Sequence, residues 1–212
     1  QKQIEDGFAQ KGYILLGWAE AGFVNIFSNT PIKSQKDMQG VKMWAWEGDP
    51  LVKAMYEQFK IVPVPLSLVD VMTALQTNMI SAVYAPPLGA IAMQWHAKTK
   101  YVTDLKLADS TGALLLSKRE FDKIAPSDQK ILRDTAREYC KKLVQSTRAD
   151  NTKSIIALQK QGLQFVKVDP KEEEIMRTAS SKVWDALSNK LYSPELLADA
   201  KKHIGDYRAK NK

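Results

Sequence analysis

The chain has 212 residues, 44% of them hydrophobic and 26% charged, with a formal net charge of +7 at pH 7. That is material for one large domain or two small ones with a substantial core, and no apolar run approaches the length of a membrane span. The basic surplus is interleaved with acids, as in Lys171-Glu172-Glu173-Glu174, without a dense basic block or a nucleic-acid motif, so it reads as solvated surface and no nucleic-acid partner is expected.

Gln1 to Gln10 reads as the end of a helix and lacks the apolar centre of a secretory signal. Tyr13 to Trp18, apolar and bounded by glycine, suits a buried strand, and Phe23 to Ser28 a second one before the turn Asn29-Thr30-Pro31. Ser34 caps a short helical turn that ends at Gly40, and Val41 to Trp46 follows as a strand. Asp49 as cap with Pro50 in the first helical position starts a helix through Phe59. Ile61 to Leu66 carries Pro63 and Pro65, which restrict it to a short or edge strand. Ser67 caps a helix bearing Val71, Met72, Leu75 and Met79; Ile80 to Tyr84 is a strand, and Pro86-Pro87 opens a helix through Lys98. Tyr101 to Leu107 and Ala113 to Ser117 are further strands, followed by a short helix from Arg119 to Ile124.

The chain then enters its longest pattern, Asp128 to Gln161, with Ser127 as the expected cap and Gly162 as the stop. Leu132, Ala136, Tyr139, Cys140, Leu143, Thr147, Ile155 and Leu158 recur near helical period, and the apolar face is weakest between Gln145 and Lys153. One beam bracing two bodies would read this way; so would two helices broken near Asn151. Strand Leu163 to Val168 and helices Lys171 to Asn189 and Pro194 to Arg208 complete the chain. Strands alternating with helices imply α/β layers around a largely parallel sheet.

No catalytic constellation is visible. A single cysteine, Cys140, excludes an internal disulfide and suits a small buried hydrophobe on the long helix. His96 and His203 belong to no metal motif, and no Gly-rich phosphate loop or nucleophile elbow occurs, so neither a metal nor a cofactor is expected. An enzyme on this scaffold would have only Glu20, Glu47 and Asp49 near the candidate strands, and Asp49 is committed to capping.

Several ordered motifs carry a family resemblance. Pro31-Ile32-Lys33 leads to Asp37-Met38-Gln39-Gly40-Val41-Lys42; Pro63-Val64-Pro65 and Ala74-Leu75-Gln76-Thr77-Asn78 follow; Leu114-Leu115-Leu116-Ser117-Lys118 and Pro126-Ser127-Asp128-Gln129 come later. From about Gly12 onward the chain resembles the DctP-like solute-binding subunits of tripartite ATP-independent periplasmic (TRAP) transporters. The resemblance implies a two-lobed α/β periplasmic binding protein with a long spine helix, which captures a small organic solute in a cleft and delivers it to TRAP membrane permease subunits. An extracytoplasmic ligand-sensing domain of the same fold is the alternative. By similarity, residues 22–109 and 150–200 form lobe two, residues 1–21 and 110–149 are a remnant of lobe one, and 201–212 is a C-terminal tail. The family fold begins before Gln1, so lobe one is expected to be incomplete, with apolar strands left open to pairing in a homodimer.

The same resemblance marks the ligand-contact positions. Most family members hold a carboxylate with an arginine in the strand after the Gly-Val-Lys motif; here that position is Trp44. A second frequent arginine is replaced by Val24, and an acidic position by Tyr84. Neither tryptophan nor valine can clamp a carboxylate as arginine does. The expected ligand contacts are therefore Trp44, Tyr84, Trp46, Asn25 and Phe27, and the expected ligand is aromatic or apolar rather than a simple dicarboxylate.

Overall fold

A computed structural model describes residues 2–210. In chain order its elements are α1 (Lys2–Gln10), β1 (Tyr13–Phe23), β2 (Asn25–Ser28), β3 (Lys42–Trp46), α2 (Pro50–Phe59), β4 (Val62–Leu66), α3 (Val71–Gln76), β5 (Ala82–Ala85), α4 (Pro87–Ala92), β6 (Tyr101–Asp104), β7 (Asp109–Ser117), α5 (Lys118–Phe121), α6 (Pro126–Lys160), β8 (Gln164–Lys167), α7 (Pro170–Leu187) and α8 (Pro194–Lys210). Short 3-10 turns lie at Lys36–Met38, Leu68–Asp70 and Trp95–Lys98. Gln1, at the head of the first expected helix, and residues 211–212 of the expected tail lie outside the described residues. Residues 201–210 lie in α8, in keeping with the helix expected from Pro194 to Arg208.

Contacts divide the chain into two compact units. The first comprises Gln1–Ile26, Tyr84–His96 and Lys106–Gln164; the second comprises Phe27–Val83, Ala97–Leu105 and Phe165–Lys212. The division expected at residues 22, 109 and 150 put Tyr84–His96 and the end of α6 in the second body, whereas contacts group both with β1 because α4 packs on α6.

In the first unit α6 runs unbroken for 35 residues, about 52 Å at 1.5 Å per residue. It does not break near Asn151. Its start corrects the expected cap: the helix begins at Pro126, and Ser127 lies inside the first turn with its hydroxyl on Asp128. Proline is favoured in the first helical turn because its missing N–H would have had no intrahelical partner. The Gln129 amide secures this end instead, donating to the Phe121 and Ile124 carbonyls at 3.1 and 3.0 Å. The buried face is Ala136, Cys140, Thr147, Asn151, Ser154 and Leu158. Its middle is polar, which is why the apolar pattern lapses there.

That face lies on β1, which pairs antiparallel with β7 from Tyr13↔Ser117 to Phe23↔Asp109. The register shifts between Leu15 and Gly17 and again between Glu20 and Gly22. Both irregularities coincide with close approaches of α6. A Cβ on Gly17 would sit 2.5 Å from the Cys140 sulfur, and one on Gly22 2.4 Å from Asn151 Nδ2. Gly22 also has φ +112°, in the left-handed region that side chains avoid. Leu16, Phe121 and Ala136 form the small core at the other end, with Ile14, Leu116 and Leu132 packed around them.

The second unit is built on a sheet of order β4-β3-β5-β2-β6-β8. β3 is parallel to β4 and to β5, and β2 is antiparallel to β6, so the sheet includes an antiparallel pair beside its parallel ones. The proline-bearing β4 is a terminal strand, as its two missing N–H donors require. Phe27, Ile32, Met43, Val71, Leu75, Ile80, Val83 and Val102 are the most fully buried side chains of this unit. The Asp49 carboxylate caps α2 by accepting from the Leu51 and Val52 N–H groups at 2.8 and 3.1 Å. Asp169 caps α7 in the same way, with Pro170 at its first position. The helix expected through Lys98 stops at Ala92, and Trp95 is buried in the 3-10 turn beyond it.

Gly22→Ala combines a left-handed backbone with a clash against Asn151, so it should cost about 2–3 kcal/mol. Urea unfolding of the variant beside the wild type reads the difference.

Candidate functional site

The site is approached through the loop before β3. The spacing from Pro31-Ile32-Lys33 to Asp37 has a mechanical reason. Asp37 Oδ2 accepts from the Lys33 and Ser34 N–H groups at 2.9 and 3.0 Å, and the Ser34 hydroxyl accepts from the Asp37 N–H at 3.3 Å. The Lys33 N–H, first among these donors, holds the Asp37 carboxyl below its usual value of 3.8, against a smaller opposing effect of burial. This closed turn delivers the chain through Gly40, at φ +76°, into β3.

β3 then presents Trp44 and Trp46. Strand alternation puts both on one face, and their ring centroids are 5.5 Å apart at 55°. Burial separates them. Trp44 is 2% exposed, while Trp46, at the strand's last position, is 50% exposed. Trp44 Nε1 donates to the Leu66 carbonyl at 3.0 Å, and the Trp44 carbonyl accepts from the Tyr56 hydroxyl at 2.6 Å. Trp46 pairs in register with Leu66, so the exposed ring stands at the carboxyl ends of two parallel strands. Leu51, at 38% exposed, and Val69, at 85%, begin the next helix and turn at these strand ends. Open α/β sheets bind ligands at the carboxyl ends of their strands.

The other expected contacts have different surroundings. Phe27, in the second unit, is completely buried. In the first unit Asn25 is 8% exposed and Tyr84, on β5, is half-buried. Phe27 and Asn25 therefore present almost no surface to a solute in this conformation, because their strand lies inside the sheet. Sequence reading missed Tyr56 and Leu66, which the packing of α2 and the register of β4 bring to Trp44.

Glu20 in the first unit is buried and held by Arg148 of α6, whose Nε lies 3.0 Å from both carboxylate oxygens and whose second nitrogen lies 2.6 Å from one. This bidentate grip raises the Arg148 pKa further, Glu20 being the main cause. Nearby Asp109 is pushed up, first by burial and then by the Glu20 charge, with Arg148 opposing. Glu20 thus serves as an anchor for α6. A hollow of about 250 Å³ in the same unit, lined by Glu5, Leu15, Trp18, Arg137, Cys140 and Lys141 among others, contains none of the expected ligand residues. Among the described residues no cluster of His, Cys, Asp or Glu could hold a metal ion, and no helix is long and apolar enough to cross a membrane.

Comparison with known proteins decides the family. Residues 1–191 match DctP, described as bacterial extracellular solute-binding protein, family 7. The chain belongs to this family. A solute-binding protein of Verminephrobacter eiseniae is 30% identical over 160 residues, covering 75% of this chain and 48% of its own length. The 2,3-diketo-L-gulonate-binding periplasmic protein YiaO of Escherichia coli is 28% identical over 164 residues, covering 74% and 48% respectively. This chain thus spans about half the length of the curated relatives it matches. Among solved structures, a TRAP periplasmic solute-binding protein from Ralstonia eutropha with bound (S)-2-acetolactate superposes with a TM-score of 0.89 at 20% identity. That match covers 97% of this chain and 67% of the other, and at such identity it establishes the α/β binding-protein fold. The DctP family is one of extracellular solute-binding proteins.

The Asp37 turn carries a pH signature. Its carboxyl is depressed in the fold, so its stabilisation is complete above the unfolded value of 3.8 and is lost as pH falls through the lowered folded value. Asp37→Ala should therefore lower the melting temperature at pH 7, and the gap from wild type should narrow below pH 3.8 in a pH series of thermal melts.

Proposed function

We propose that this DctP chain is the solute-capturing portion of a periplasmic receptor for a TRAP-type secondary transporter, and that its solute is aromatic or otherwise apolar. The receptor hands this solute to the membrane permease subunits. One observation carries the ligand class. Where the family resemblance implies an arginine, the chain has Trp44, a buried indole whose N–H is already bonded to the Leu66 carbonyl, with the half-exposed Trp46 ring resting on it.

The physical contrast is between a cation and a π face. YiaO is named for an acid, 2,3-diketo-L-gulonate, and the Ralstonia eutropha protein holds acetolactate, also an acid. A carboxylate needs charge-assisted donors to replace its water, and the Trp44 position supplies none. A planar apolar solute loses little on leaving water and gains stacking on Trp46, worth about 0.5–1.5 kcal/mol beyond its buried area. Trp44 acts as the floor under that ring.

The test is a thermal-shift and calorimetric screen with two solute sets. Indole, phenol and p-cresol form one; succinate, gluconate and pyroglutamate form the other. Stabilisation by the aromatic set alone is expected, and Trp46→Ala should weaken it about tenfold while leaving the melting temperature of the free protein nearly unchanged. Strong stabilisation by the carboxylates alone would overturn the ligand class.

A further inference from the structure

Tyr56 lies on α2, is 6% exposed, and donates its hydroxyl to the Trp44 carbonyl at 2.6 Å. Trp44 in turn donates its indole N–H to the carbonyl of Leu66, the last residue of β4. Two hydrogen bonds, one buried and one partly buried, therefore run in series from α2 through β3 to the edge strand. They converge on the residue that supports Trp46, and Leu66 is the register partner of Trp46. The exposed Trp46 ring rests on Trp44, whose backbone carbonyl and indole nitrogen are both held by these bonds.

We infer that Tyr56 is a positioning residue for solute selection, holding Trp44 so that Trp46 presents one fixed, donor-poor ring face to a planar, uncharged solute. This rests on the aromatic-solute reading above and extends it to the residue that enforces it. The relay also spends two polar groups internally. The Tyr56 hydroxyl and the Trp44 N–H could each have met a polar solute, and both are turned to backbone carbonyls. The half-exposed Trp46 ring then offers a solute a π face, which discriminates planar from non-planar solutes more than charged groups from one another.

The alternative is that Tyr56 only fills the core beneath β3. Tyr56→Phe separates the two, because it keeps the ring and removes the hydroxyl. The wild type and Tyr56→Phe are compared by indole titration and by the circular dichroism of the coupled Trp44–Trp46 pair, each with and without Trp46→Ala. The expected result is about tenfold weaker indole binding and a changed tryptophan signal in Tyr56→Phe, with the binding effect absent in the Trp46→Ala background. Equal indole binding together with an unchanged tryptophan signal would overturn the inference. If wild type itself ignores indole, the aromatic-solute reading fails, while the dichroism still decides whether Tyr56 sets the ring pair. Should Tyr56→Phe not fold, p-aminophenylalanine at position 56, whose para N–H reaches the same carbonyl, must restore folding and the tryptophan signal; failure to restore either would also count against the relay.

Discussion

The first unit depends on one buried amide. Asn151, in the polar middle of α6, donates to the Ala21 and Thr147 carbonyls at 2.9 and 3.0 Å and accepts from the Leu88 N–H at 3.0 Å. One side chain thus joins the strand β1, the first turn of α4 and its own helix. Three of its four hydrogen-bonding possibilities are met, so burying it costs little, whereas an apolar replacement would leave the Leu88 N–H and the Ala21 carbonyl to find other partners. The same contact explains the glycine at position 22, since any Cβ there would occupy the space of the amide. Arg148 and Glu20, one turn earlier on the helix and two residues earlier on the strand, add a charge-assisted grip beside it.

A helix of this length cannot be held by propensity alone, and its burial pattern shows how the work is divided. Near its start, Ala136 joins the Leu16 and Phe121 core, and Cys140 lies against Gly17, where no larger residue would let the helix come so near. In the middle, Thr147, Asn151 and Ser154 replace apolar contact with directed hydrogen bonds. Directed bonds fix register along the strand more sharply than apolar contact does, and β1 uses its two irregularities to meet them.

The second unit applies a related principle to recognition. Its motif residues are mostly mechanical: Asp37 closes a turn, Asp49 caps α2, and the prolines of β4 keep it at the edge. With those positions settled, β3 holds a buried tryptophan bonded at both its nitrogen and its carbonyl, and leaves the second tryptophan half-exposed at the strand end.

The sequence by itself determined the family, the order of strands and helices, and the absence of an arginine at position 44, because motifs, caps and residue identities are local properties. The Asp49–Pro50 start, the proline edge strand and the length of α6 were all legible for that reason. It misjudged the cap at Ser127, and it held no information on how the expected ligand residues are covered: Phe27 and Asn25 are buried, and of the two tryptophans on one face Trp46 is the more open. Those outcomes belong to tertiary structure. A strand's alternation names its faces but not which neighbour covers them, and the bonds from Tyr56 to Trp44, from Trp44 to Leu66 and from Asn151 to Ala21 and Leu88 join residues 12, 22, 130 and 63 positions apart. Only the register of the folded sheet and the docking of α6 bring such residues within hydrogen-bonding distance.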